Sequence, residues 1–195
     1  MIYYILDPSY MKEITFLSVV LAFAITCIAI SLGKNALPRD AGRAFAINGS
    51  KSVGKPRGAG IIFILAFTLT CVLFIPLNNE LVIYLMLTLA AMISGYLDDS
   101  STSPWGNLKK GIIDFLIALI AAVTYLNYNP NTIEIAFLHS QLTIPTVVFG
   151  FLIIVLVWVS INVTNCSDGV DGLCGTLSAI TLATTYILFK MFDMD

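Results

Sequence analysis

The densest group of side chains able to do chemistry lies in Asn162-Val-Thr-Asn165-Cys-Ser-Asp168-Gly-Val-Asp171-Gly-Leu173. Asn and Asp supply donors, acceptors and negative charge, while Gly169 and Gly172 permit positive φ and close approach of backbone to a ligand. A plain polar turn between two apolar segments needs fewer such groups. The spacing and the missing terminal Glu exclude a calcium EF-hand. A compact, ligand-binding turn is therefore expected over 162–172.

A second group, Ser94-Gly-Tyr-Leu-Asp98-Asp99-Ser-Ser-Thr102, puts two adjacent carboxylates where an apolar run ends. Each raises the pKa of the other unless a cation compensates, and a divalent metal or a metal-bound phosphate would do so. A helix C-terminus also disfavours negative charge, which weakens the bland reading of a solvated helix end. A third group is basic. Gly54-Lys-Pro-Arg-Gly-Ala-Gly60 leads into an apolar run, and Lys55 and Arg57 beside exposed helix-start N–H groups would suit a phosphate. Lys51 is a weaker candidate for the same role. An isolated basic loop is equally well explained as a topology signal. Lys110 and Asp114 have the spacing of an i,i+4 pair, with Lys110 also able to face a phosphate.

These groups must be positioned by elements that water cannot solvate. Apolar residues make up 58% of the chain and charged residues 11%. A soluble domain carries about a quarter charged side chains. The net charge of −2 and the short basic loops leave no large basic field for nucleic acid. Six apolar runs, at about 14–32, 58–77, 81–97, 111–128, 144–161 and 173–192, are long enough to cross a bilayer as helices. The fold class is thus an all-α polytopic transmembrane bundle, with residues 1–195 forming one membrane domain. The first run is read as a retained span, since Asp7 and Glu13 rather than a basic segment precede it.

Lys34, Arg39, Arg43, Lys51, Lys55, Arg57, Lys109 and Lys110 fall on one side of these spans and only Lys12 and Lys190 on the other. The positive excess makes loops 33–57, 98–110 and 162–172 cytoplasmic. Segment 129–143, on the outer side, alternates in part and suggests a short hairpin. Trp105 reads as an interfacial anchor. Cys27, Cys71, Cys166 and Cys174 form no CxxC and read as small buried hydrophobes. His139 falls in the outer loop, away from every other candidate.

Paired carboxylates, an Asn-Asp-Gly segment and cations on one face are the parts phosphoryl transfer uses, and the apolar body gives a lipid-soluble partner access. On these motifs the chain resembles the polyprenyl-phosphate N-acetylhexosamine-1-phosphate transferases. Leu97-Asp98-Asp99 resembles the family's aspartate pair, Asn162–Leu173 its NxxNxxDGxDGL segment, and Gly54–Gly60 its basic first loop. The second match is the most specific.

The resemblance is strongest to the peptidoglycan branch. It implies transfer of a phospho-sugar from UDP-MurNAc-pentapeptide to undecaprenyl phosphate, giving lipid I and UMP, with Mg2+ as cofactor in a bacterial inner membrane. It implies that Asp98 or Asp99 deprotonates or orients the lipid phosphate and that Asp168 sits in the catalytic centre. Asn162, Asn165, Gly169 and Asp171 would shape the nucleotide-sugar pocket, and Lys51, Lys55 and Lys110 would meet phosphates.

There are two departures. The family often carries Lys three residues after the aspartate pair, where this chain has Thr102. Family members also have about ten spans. A further aspartate, expected to be the main metal ligand, and a histidine-rich loop would follow residue 195. The chain therefore reads as an N-terminal portion, expected not to turn over alone. The sequence leaves the oligomeric state open, a homodimer being one arrangement. Other readings are a sister transferase using UDP-GlcNAc, a transporter, or a noncatalytic assembly subunit. Transport is disfavoured because carboxylates fall at span ends rather than near the midplane.

Overall fold

The computed structural model describes residues 5, 10–40, 42, 53–101, 103, 105–135, 140–168 and 172–191. Among the described residues, six helices follow the apolar runs: α1 (Met11–Gly33), α2 (Gly60–Phe74), α3 (Asn79–Ser100), α4 (Asn107–Tyr128), α5 (Thr146–Ser167) and α6 (Leu173–Met191). Five of them are long and apolar enough to cross a membrane, and α2, with 15 residues, is the shorter apolar helix. The expected span 58–77 is trimmed at its end by Pro76. The residue before a proline is pushed out of the α region, and Ile75 is extended at φ −106°, ψ 142°.

The chain divides into two compact units, Met1–Pro130 and Asn131–Asp195. In the first, α1 packs on α2, α2 on α3 and α3 on α4. Close approach uses small side chains. Ala118 and Ala122, four apart on α4, are 0% and 2% exposed, and Ala66 and Cys71 are buried on α2. Large apolar side chains point the other way: Phe16, Phe23 and Leu32 of α1 are all more than 70% exposed. This distribution suits hydrocarbon as the solvent.

Several helix hydroxyls are satisfied within their own helix, while the buried Thr68 hydroxyl of α2 has no hydrogen-bond partner among the described residues. Thr26, Ser31, Thr70, Thr88, Thr124 and Ser160 each donate to the carbonyl four residues earlier, at 2.7–2.8 Å. That is the economical solution where no water can accept the proton.

The end of the first unit away from the loop candidates is locked by side chains. Asn78 caps α3, its Oδ1 accepting from the Leu81 N–H at 2.7 Å. Glu80 stands in the first turn of α3, where the helix dipole favours its charge. Its Oε1 accepts from Asn129 Nδ2 at 2.6 Å and from the Tyr84 hydroxyl at 3.1 Å, tying the start of α3 to the end of α4. Glu80→Ala removes a charged acceptor from two part-buried donors, and such bonds are worth roughly 1.5–3 kcal/mol. The expected outcome is a lower apparent Tm in detergent, with Glu80→Gln intermediate because its amide oxygen still accepts.

The second unit opens with the anticipated hairpin. Strands β1 (Thr132–Ile135) and β2 (Ser140–Thr143) pair antiparallel, Thr132 opposite Thr143 and Ile135 opposite Ser140. Asn131 Nδ2 closes the base by donating to the Ile144 carbonyl at 2.6 Å. Helices α5 and α6 follow, with a cleft of about 440 Å³ lined by Thr164, Ser167, Cys174 and Ser178 among others.

Candidate active site

The first loop returns on itself to present its basic end. The Asp40 N–H donates to the Lys55 carbonyl at 2.9 Å, the Gly54 N–H to the Asp40 carbonyl at 2.9 Å, and the Arg57 N–H to the Pro38 carbonyl at 2.8 Å. Arg39 and Pro56 form the bridge at the centre of this ribbon, and Arg39 Nη1 donates to the Gly54 carbonyl at 3.1 Å. The ribbon is followed by Gly58 at φ +69°, where a Cβ would lie 3.0 Å from Tyr96 Cδ2 on the last turns of α3. Glycine is thus needed both for the dihedral and for the close approach.

This turn delivers Arg57 to the aspartate pair. Arg57 Nη2 donates to Asp99 Oδ1 at 2.7 Å, and Nη1 stands 3.8 Å from Asp40 Oδ1. The neighbouring Asp98 has a cation of its own: Lys110 Nζ, from the first turn of α4, lies 2.5 Å from its Oδ2. Asp98 Oδ1 accepts the Trp105 N–H at 2.8 Å, and Lys109 Nζ sits 3.3 Å above the centroid of the Trp105 ring. Two adjacent carboxylates at a helix C-terminus are thus each held by a separate cation from a different element. Arg57 is 38% exposed and Lys110 31%, so each pair contributes about 1 kcal/mol or less to stability. Their effect is geometric: they fix where the carboxylate oxygens point.

In the second unit, the Asn residues of the most specific motif stand on a helix. The sequence reading placed 162–172 in a turn, but α5 continues to Ser167. With a spacing of three, Asn162, Asn165 and Asp168 run down one side of its last two turns, since residues three apart share a helix face. Asn162 Nδ2 donates to the Trp158 carbonyl at 2.8 Å, and the Asp168 N–H to the Asn165 carbonyl at 3.3 Å, closing the helix at its C-cap. Gly172 takes φ +81° just before α6, as expected of a glycine at this turn.

Of the candidates from the sequence, the structure brings Asp98, Asp99 and Lys110 together, joined by Arg57. Lys55 stands two residues from Arg57 on the same ribbon, exposed, with its carbonyl in the ribbon ladder. Asn162, Asn165 and Asp168 lie in the other unit. Lys51, Gly169 and Asp171 fall outside the described residues, as do Thr102 and His139. Two findings go beyond the sequence reading. Lys110 forms its ion pair with Asp98, although its spacing to Asp114 allowed an i,i+4 partner. Asp40 and Gly58 were not singled out at all, because their roles depend on contacts to residues far along the chain.

Among the described residues, no three Asp, Glu, His or Cys side chains approach closely enough to share a metal ion. The described part of the chain therefore does not by itself fit a magnesium site.

The chain thus combines helices able to cross a membrane with a cation-braced aspartate pair at one helix end and an Asn-Asn-Asp stripe on another helix. The chain belongs to glycosyl transferase family 4, whose model matches residues 81–194, a stretch that includes both motifs. It is 37% identical over 164 residues to a phospho-N-acetylmuramoyl-pentapeptide-transferase of Treponema pallidum (strain Nichols), a match covering 78% of this chain and 43% of that protein. The proteins of the same name from Symbiobacterium thermophilum and Thermoanaerobacter pseudethanolicus are 29% and 30% identical over 67% and 68% of the chain. The chain spans less than half the length of these relatives. No solved structure matches it.

Proposed function

We propose that this chain is part of a bacterial cytoplasmic-membrane enzyme that transfers phospho-MurNAc-pentapeptide from UDP-MurNAc-pentapeptide to undecaprenyl phosphate. The observation that carries the reading is the similarity, over 78% of the chain, to a relative that bears this activity in its name. In the reaction a lipid phosphate oxygen attacks the sugar-linked phosphorus. The bond from that phosphorus to the bridging oxygen breaks, UMP leaves, and lipid I forms.

On this reading residues 1–195 act as one membrane domain with loops 33–57, 98–110 and 162–172 in the cytoplasm, where the nucleotide is. Asp98 or Asp99 orients or deprotonates the lipid phosphate. Asp168 stands in the catalytic centre, and Asn162, Asn165, Gly169 and Asp171 shape the nucleotide-sugar pocket. Lys51, Lys55 and Lys110 face phosphate oxygens. Magnesium belongs to the proposal as a cofactor, which when bound would supply positive charge to phosphate oxygens.

The test is formation of lipid I in detergent by the full-length gene product, with magnesium and with EDTA. The expected outcome is transfer only with magnesium and only from the MurNAc-pentapeptide donor. Transfer from UDP-GlcNAc instead would reassign the enzyme to the sister activity. A folded protein that transfers neither would return the reading to transport or assembly.

A further inference from the structure

We propose that Arg57 is a positioning residue for the aspartate pair: it fastens the end of the first loop to the C-terminus of α3 and fixes the Asp99 carboxylate for the transfer. The inference rests on the transferase reading for its consequence, though not for the contact itself. Arg57 is 42 residues from Asp99 in sequence, yet its Nη2 donates to Asp99 Oδ1 at 2.7 Å. The same guanidinium reaches Asp40 Oδ1 at 3.8 Å, and the Arg57 backbone N–H is fixed on the Pro38 carbonyl. Through its backbone N–H and its guanidinium, Arg57 thus links the returning strand of the ribbon to the outgoing strand and to the helix end.

A planar fork with several donors can serve two carboxylates at once, and a lysine ammonium cannot hold both in the same geometry. Gly58 explains why the next residue permits this, since its positive φ and missing side chain let the turn close on Tyr96. The Asp99 carboxylate is 28% exposed, so it remains accessible to a substrate phosphate while one of its oxygens is pinned. The cation that the resemblance places three residues after the aspartate pair is Thr102 here, and Arg57 brings a positive charge to that pair from another loop.

The test uses the full-length gene product in detergent, with Arg57→Gln, Arg57→Lys, Asp99→Asn and the Arg57→Gln/Asp99→Asn double variant. Two readouts are taken. The first is apparent Tm across the four combinations of Arg57→Gln and Asp99→Asn. A direct clamp predicts coupling, so that Arg57→Gln costs less once Asp99 is neutral; additive shifts would overturn the proposal. The second is steady-state transfer.

Misplacing a reacting group by about 1 Å costs on the order of 100-fold. Arg57→Gln is therefore expected to lower kcat by about 10- to 100-fold with KM for both substrates within about twofold, and Arg57→Lys to recover part of the loss. Unchanged kcat in folded Arg57→Gln would overturn the proposal. So would a raised KM at unchanged kcat, which would mean that the guanidinium binds substrate directly. If the wild type transfers nothing, the transferase reading fails, and with it the consequence for catalysis, while the coupling in Tm still decides whether the clamp exists.

Discussion

Asp168→Asn is expected to leave the protein folded and to cut lipid I formation by roughly 10²- to 10⁴-fold, the range lost when a positioned acid or base is removed. The substitution is nearly isosteric, so its effects can be separated. Asp168 ends α5 at φ −79°, ψ 30°, with its N–H on the Asn165 carbonyl, and both features belong to the backbone. Asn adopts that conformation as readily as Asp. The side chain is exposed, so no packing is lost. A negative charge at a helix C-terminus is opposed by the helix dipole, at about 0.3–1 kcal/mol. Removing it should leave the apparent Tm level or slightly raised. A residue kept for structure would behave in the opposite way, losing stability and activity together. Initial rates with labelled donor and Tm measured on the same preparations read both quantities. Transfer within about threefold of wild type would remove Asp168 from the centre, since a group acting in the transition state cannot be lost so lightly.

Much of this architecture could be read from local pattern. Run length located all six helices, because an apolar stretch in lipid has no stable alternative to a helix with its backbone groups paired internally. The β1–β2 hairpin was legible in the alternation around Ile133 and Ile135. The family resemblance followed from three short motifs, Gly54–Gly60, Leu97-Asp98-Asp99 and Asn162–Leu173. What local pattern could not supply were the partners. Arg57 and Lys55 are near neighbours with the same charge, yet only the fold shows that Arg57 is the one on Asp99. Lys110 had Asp114 at ideal helical spacing and pairs across the loop with Asp98 instead. Such choices depend on how α2, α3 and α4 are docked, which no window of a dozen residues contains. The extent of α5 is a different kind of miss. Its polar end, Asn162 to Ser167, was assigned to a turn by composition, although the spacing of three in Asn162, Asn165 and Asp168 is itself a helical signal. Polar residues on one face of a helix end look like a loop when counted and like a site when spaced.

Gly58 should be the most sensitive small residue of the first unit. Gly58→Ala is expected to lower apparent Tm by the equivalent of about 1–2 kcal/mol for the left-handed conformation alone. A further loss comes from a Cβ placed 3.0 Å from Tyr96 Cδ2 and 3.4 Å from Cε2. Gly58→Val should be worse, because a β-branched residue at positive φ is a genuine outlier. The two contributions can be told apart. In a Tyr96→Ala background the ring is gone, so Gly58→Ala should then cost only the dihedral part. Gly58→Asn tests the converse, since Asn tolerates this backbone region while keeping the clash. Equal stability of Gly58→Ala and wild type would mean that the turn does not hold φ +69°. The effect should also reach the site. Gly58 follows Arg57 directly, so a turn that backs away from Tyr96 carries the guanidinium away from Asp99. Transfer by Gly58→Ala should therefore fall in kcat more than in KM, as for Arg57→Gln, and combining the two substitutions should cost less than the product of their separate losses because both act through the same contact.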